Sequence, residues 1–163
     1  MKGNPLTLVG PELRVGDKAP AFTIIDRGMK PVSLSDSAGQ VRLLSVVTSL
    51  DTSICNTQTK TFNDKLASVG NLKKYTISVD LPTAQGRFCS ENHTDNFEFL
   101  SDHRDVSFGT AYGLLVKELR QLARSVFVVD RNDRISYIQV LPEIASEPDY
   151  DKALAAVQAA LKA

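Results

Sequence analysis

The chain has 163 residues, 42% hydrophobic and 23% charged, with nineteen basic residues balanced by nineteen acidic ones. That is ordinary for a globular domain with a real core, and a net charge of zero supplies no basic footprint for nucleic acid. Met1-Lys2-Gly3-Asn4-Pro5 holds no apolar stretch of signal-peptide length and no run approaches a membrane span, so a cytoplasmic protein without a membrane partner is expected. Structural disulfides are rare in that compartment, so its two cysteines, Cys55 and Cys89, point to redox chemistry. Their separation excludes a C-x-x-C site.

In chain order, Leu6-Thr7-Leu8-Val9 alternates, Gly10-Pro11 breaks the pattern, and Leu13 and Val15 alternate again. This predicts a β-hairpin and marks residues 1–16 as an N-terminal extension. Gly16 to Pro20 is a turn into a short strand, Phe22 to Ile25, and Ser33 to Gly39 reads as a helical turn. The apolar run Val41 to Val47 reads as a buried strand, and Thr57 to Leu66 as a helix, with Phe62 and Leu66 four apart. Gly70-Asn71 breaks the chain before a second core strand, Tyr75 to Val79. Leu81-Pro82 ends that strand, and a helix is expected from Thr83 through Cys89 towards Asn92. Phe97 to Leu100 reads as a short strand and Ser107 to Tyr112 as a short helix. Ser125 to Val129 and Ile135 to Leu141 flank the turn Asp130-Arg131-Asn132-Asp133, an antiparallel hairpin. Asp149 to Leu161 has apolar residues at helical spacing and closes the chain as a helix. The pattern predicts one α/β domain, residues 1–163, of thioredoxin-like type: a central mixed sheet flanked by helices.

The chemistry concentrates between the first core strand and the helix after it, in Thr48-Ser49-Leu50-Asp51-Thr52-Ser53-Ile54-Cys55. Cys55 falls in the first turn after the strand-to-helix switch. Unpaired backbone N–H groups and the positive end of the helix dipole favour a thiolate there. Thr52 stands close to one helical turn earlier, with a hydroxyl able to donate to that thiolate or to an incoming oxygen. The plainer alternative is a buried structural cysteine, with Asp51 or Thr52 as an ordinary N-cap.

This stretch resembles the peroxiredoxin motif Pro-x-x-x-Thr-x-x-Cys. Further matches run along the chain: Thr57-Gln58-Thr59, Asp80-Leu81-Pro82, Ala84-Gln85, Arg87-Phe88-Cys89, Leu100-Ser101-Asp102-His103-Arg104-Asp105, Leu122 to Val128 and Ser146-Glu147-Pro148. The collinear series is similar to the atypical two-cysteine thiol peroxidases of bacteria and covers nearly the whole chain. The resemblance implies Cys55 as peroxidatic nucleophile, Thr52 as hydrogen-bond donor to thiolate or peroxide, Arg124 as stabilising charge and Cys89 as resolving cysteine. It implies a peroxide substrate, thioredoxin as reductant, and a homodimer. By residue type alone, Arg124 belongs with Lys117 and Arg120 on a charged helical face, and only the resemblance moves it to the site.

Two positions depart from the family pattern. Thr48 stands where relatives carry the motif proline, and Thr83 where they usually carry an aromatic. Thr48 brings a hydroxyl and a backbone N–H to a pocket wall that proline keeps rigid and dry. It is the feature that sustains a second expectation, a catalytically weakened redox sensor or binding protein that retains the fold. No metal or cofactor is expected: Cys55, Cys89, His93 and His103 lack paired-ligand spacing, both histidines lie in polar stretches read as solvated, and no nucleotide-binding glycine pattern is present.

Overall fold

The computed structural model describes residues 4–143 and 145–163. Residues 1–3 of the expected extension lie outside them. Among the described residues, a seven-stranded mixed sheet forms the centre, with strand order β10-β9-β4-β5-β6-β2-β3. Its strands are β2 (Thr23–Asp26), β3 (Pro31–Ser33), β4 (Val41–Val46), β5 (Leu72–Ser78), β6 (Glu98–Ser101), β9 (Ser125–Val129) and β10 (Ile135–Val140). β4 runs parallel to β5, and β5 to β6, while β9, β10, β2 and β3 pair antiparallel. The parallel pairs need crossover helices: α1 (Ser53–Lys65) joins β4 to β5 and α2 (Pro82–Asn92) joins β5 to β6. α3 (Ser107–Ala111) and α4 (Tyr150–Lys162) complete the α-helices among the described residues, and Leu34–Ser37, within the expected helical turn, forms a short 3-10 helix.

All six residues of β4 are buried, because the sheet is covered on both faces. Successive side chains sort to opposite sides. Leu44 and Val46 join Tyr75, Ile77, Leu100, Phe127, Phe22, Phe108 and Tyr112. Leu43 and Val47 join Phe99, Val126 and Val128 with Phe62 of α1, Leu66 at its C-terminal cap, Phe88 of α2 and Val157 of α4. Cys55 and Cys89 both belong to this second layer. The buried charge in β4, Arg42, donates to Ser37 Oγ at 3.0 Å and to the Asp130 carbonyl at 2.8 Å, and pairs with Asp133. The β9–β10 turn is held by the Asp130 carboxylate, which accepts from the N–H groups of Asn132 and Arg134 at 2.8 and 2.9 Å.

The N-terminal segment enters an antiparallel sheet, but through a remote partner. Strand β1 (Leu8–Val9) pairs with β7 (Leu115–Val116), which pairs with β8 (Gln121–Leu122). Leu13 and Val15 form no strand. The physical reason is a close approach of two glycine-bearing turns: a Cβ on Gly10 would stand 2.0 Å from the Thr110 carbonyl oxygen, and one on Gly113 1.9 Å from that of Pro11. Backbone contact there leads β1 past residue 13 onto β7. Two elements also start earlier than expected: α1 at Ser53 rather than Thr57, and β5 at Leu72 rather than Tyr75.

Candidate active site

Helix α1 begins where Thr52, in an extended conformation (φ −91°, ψ 146°), caps it. Cys55 is therefore the third helical residue, in the turn whose N–H groups lack partners within the helix. Its Sγ is fully buried and lies 3.4 Å from the donating backbone N–H of Ser49. The sulfur thus sits between the helix start and the loop that precedes it, where fixed donors stabilise negative charge.

Thr52 is exposed, and its hydroxyl donates to the Ser49 carbonyl at 3.0 Å. The hydroxyl thus braces the loop whose N–H faces the sulfur. Arg124 is only 1% exposed, which removes it from any surface face. Lys117 and Arg120 belong to the β7–β8 connection, not to a helix, and Arg124 lies between β8 and β9. The Arg124 guanidinium donates to Gln58 Oε1 at 3.0 Å, and the Gln58 amide donates to Ser45 Oγ of β4 at 2.9 Å. Gln58 is one helical turn after Cys55, on the same buried face. Arg124 is also close enough to Tyr150 to act on its phenol: burial, then the hydrogen bond to Glu147, pushes that group well above its ordinary range, and the Arg124 charge opposes the rise. The Tyr150 ring packs edge-on against Phe62 of α1, 5.1 Å between centroids.

Cys89 lies in the last turn of α2, 3% exposed. Both cysteines are free thiols. Thr48 is buried, and its hydroxyl oxygen has no hydrogen-bond partner among the described residues. Thr83 is exposed on α2 and leaves the core untouched. His93 is exposed and ends α2 in a left-handed conformation (φ 53°). His103 departs from the solvated expectation: it is half-buried, with Nε2 enclosed and without a hydrogen-bond partner among the described residues.

Sequence reasoning gave no role to Gln58, Ser49 or Asp80. Gln58 and Asp80 stood inside matched segments, but residue type alone does not reveal which buried acceptor a distant donor will meet. The Asp80 carboxylate accepts from Ser49 Oγ at 3.1 Å and from the Leu50 N–H at 2.9 Å, tying the Cys55 loop to the segment that leads into α2.

A thioredoxin-like sheet with a buried, donor-facing thiol at a crossover-helix start, and a second thiol on the next crossover helix, defines a class: the chain belongs to the Redoxin family, whose model matches residues 14–154. The relatives narrow this. The chain is 51% identical to a thiol peroxidase of Halalkalibacterium halodurans, over 98% of this chain and 96% of the relative, and 53% identical to that of Listeria innocua, over 99% and 96%. A solved peroxiredoxin-like protein from Aquifex aeolicus superposes with a TM-score of 0.91 at 38% identity, covering 97% of this chain and 94% of that one. Within the Redoxin family, the chain falls in the bacterial thiol peroxidase branch.

Proposed function

We propose that the chain is a thiol-dependent peroxidase that reduces hydrogen peroxide and organic hydroperoxides. The observation that carries this reading is Cys55: a buried sulfur in the first turn of α1 that accepts from a backbone N–H, in a chain about half identical to thiol peroxidases. The Cys55 thiolate attacks the terminal peroxide oxygen, and the O–O bond breaks. The leaving oxygen takes a proton and departs as water or alcohol, and the sulfur becomes a sulfenic acid. The buried Arg124, held by Gln58, suits the charge that develops on the peroxide because it stays cationic and offers a rigid fork of donors. The Cys89 thiol then condenses with the sulfenic acid, forming the S–S bond and releasing water. Both cysteines are buried on separate helices, so this step requires local unwinding of α1, α2 or both. A thioredoxin-type dithiol protein returns two electrons and two protons to the disulfide.

Residues 1–163 form one peroxidase domain in this proposal, and two copies form a homodimer. Leu81, 55% exposed beside the site, is apolar surface of the kind a dimer covers. Sedimentation equilibrium tests the dimer. Among the described residues, no helix is long and apolar enough to cross a membrane, and a cytoplasmic location is part of the proposal.

Paired variants test the chemistry. Cys55→Ser abolishes peroxide turnover. Cys89→Ser consumes one equivalent of peroxide and stalls as a sulfenic acid, visible by mass spectrometry after a single dose. Turnover surviving in Cys55→Ser assigns the nucleophile elsewhere, and sustained wild-type turnover in Cys89→Ser removes its resolving role.

A further inference from the structure

Between the end of β5 at Ser78 and the start of α2 at Pro82, three donors converge on one carboxylate. Asp80 Oδ1 accepts from Ser49 Oγ at 3.1 Å, and Oδ2 accepts from the Leu50 N–H at 2.9 Å and from Ser78 Oγ at 2.8 Å. Ser49 is also the residue whose N–H meets Cys55 Sγ. Asp80 therefore grips the loop by the Ser49 side chain and by the next peptide N–H, which fixes the direction of the donor aimed at the sulfur. A carboxylate suits this place because it only accepts and its hydrogen bonds are charge-assisted. The contacts continue beyond it. Ser78 Oγ accepts from Gln85 Nε2 at 3.1 Å, and Gln85 lies one helical turn before Cys89 on α2. Gln85 Nε2 also donates to the Leu100 carbonyl at 2.9 Å, which anchors it to β6. An unbroken run of hydrogen bonds thus links Cys55 Sγ, Ser49, Asp80, Ser78 and Gln85, from the loop of one cysteine to the helix of the other.

We propose that Asp80 is a positioning residue acting on both halves of the cycle. It holds the Cys55 loop in the geometry that favours attack on peroxide, and by the same contacts it restrains the unwinding that lets Cys55 and Cys89 join. The two steps respond to it in opposite directions. This rests on Cys55 being the peroxidatic sulfur, as proposed above.

The experiment uses the full-length protein and stopped-flow mixing with hydrogen peroxide, resolving Cys55 oxidation from disulfide formation. In Asp80→Ala, oxidation slows about tenfold, the worth of one charge-assisted hydrogen bond, while disulfide formation becomes several-fold faster. Asp80→Asn restores most of the oxidation rate, because its amide oxygen in the place of Oδ2 accepts from the Leu50 N–H and Ser78 Oγ, and its amide nitrogen in the place of Oδ1 donates to Ser49 Oγ. Ser49→Ala removes one of the three contacts and keeps its own N–H, so it shows the same opposite-signed pair of changes, smaller, and serves if Asp80→Ala does not fold. Wild-type oxidation rates in Asp80→Ala and Ser49→Ala overturn the proposal, as do two steps that slow together. Peroxide turnover in Cys55→Ser overturns the underlying assignment instead, whatever the Asp80 variants do.

Discussion

At the scale of single residues, the proposed site is a set of donors fixed before peroxide arrives. The Ser49 N–H and the helix start act on the sulfur, and Arg124 is buried and anchored on Gln58. Donors held in place act most strongly on charge that develops only in the transition state. Arg124→Ala should therefore slow Cys55 oxidation by about 100-fold or more, at the level found for other preorganised donors. Gln58→Ala should act in the same direction and less, since it removes one hydrogen bond of the guanidinium and keeps the charge. Second-order rates for peroxide measure both, and an unchanged rate in Arg124→Ala places that residue outside the chemistry. Thr48 works the other way. Its buried hydroxyl is unpaired among the described residues, which costs about 1–3 kcal/mol. An idle donor near the proposed nucleophile also offers solvation that stabilises a localised thiolate more than a spread transition-state charge. Thr48→Pro removes both effects. It is expected to raise the stability of the fold and to speed Cys55 oxidation a few-fold, about the worth of one hydrogen bond, with reduction by thioredoxin unchanged. An equal or slower rate in the folded variant sinks this account.

At the scale of elements, the ones bounded by strong local chemistry were readable in the sequence. β4 is buried on both faces, so its composition alone marks it. α2 has Pro82 at its first turn, and α4 has Asp149 as a side-chain cap accepting from Lys152 N–H at 3.1 Å. α3 is different. It has five residues, too few to stand on propensity, and its support comes from outside. Asp102 accepts from the N–H groups of Phe108 and Gly109 at 3.0 and 2.8 Å, and a Cβ on Gly109 would stand 2.5 Å from Leu122. Burial raises the Asp102 carboxyl above its ordinary 3.8, and the two backbone hydrogen bonds only partly oppose it. The sign follows by linkage. A carboxyl raised on folding binds its proton more tightly in the native state, so its stabilising contribution is full below 3.8 and is lost as pH rises through the raised native value. Asp102→Asn cannot titrate. Its stability from urea melts should change less than wild type as pH rises above 3.8, and parallel curves for the two proteins would contradict the assignment.

At the scale of the whole molecule, the chemistry and the N-terminal segment sit on different sides of the sheet. Cys55 and Cys89 belong to the layer under α1, α2 and α4, while Leu6 and Leu13 pack on the opposite layer with Phe22, Phe108 and Tyr112. What the sequence could not convey is pairing over distance. Leu8 meets Val116, and Arg124 meets Gln58, and in both cases local periodicity or residue type suggested a nearer or more exposed setting. Charge pattern placed Arg124 outside because an arginine is buried only when the fold supplies distant acceptors. Alternation pairs the Leu8–Val9 strand with Leu13 and Val15 because it carries no information about partner. Its true anchor is backbone contact at Gly10, whose φ of 110° is a conformation L side chains rarely adopt. Gly10→Ala meets both strain and the Thr110 carbonyl, so the contact has to open. The expected loss of stability is about 1–3 kcal/mol, the usual scale of such backbone strain. Hydrogen exchange should rise at Val9, Leu115 and Val116 together, since β1 leaves the three-stranded sheet as a unit. Cys55 oxidation should keep its wild-type rate, because no residue of that contact reaches the layer that holds the sulfur. A slowed peroxide step in a Gly10→Ala protein that remains folded would mean that the two faces of the sheet are coupled and that the N-terminal segment helps to shape the site.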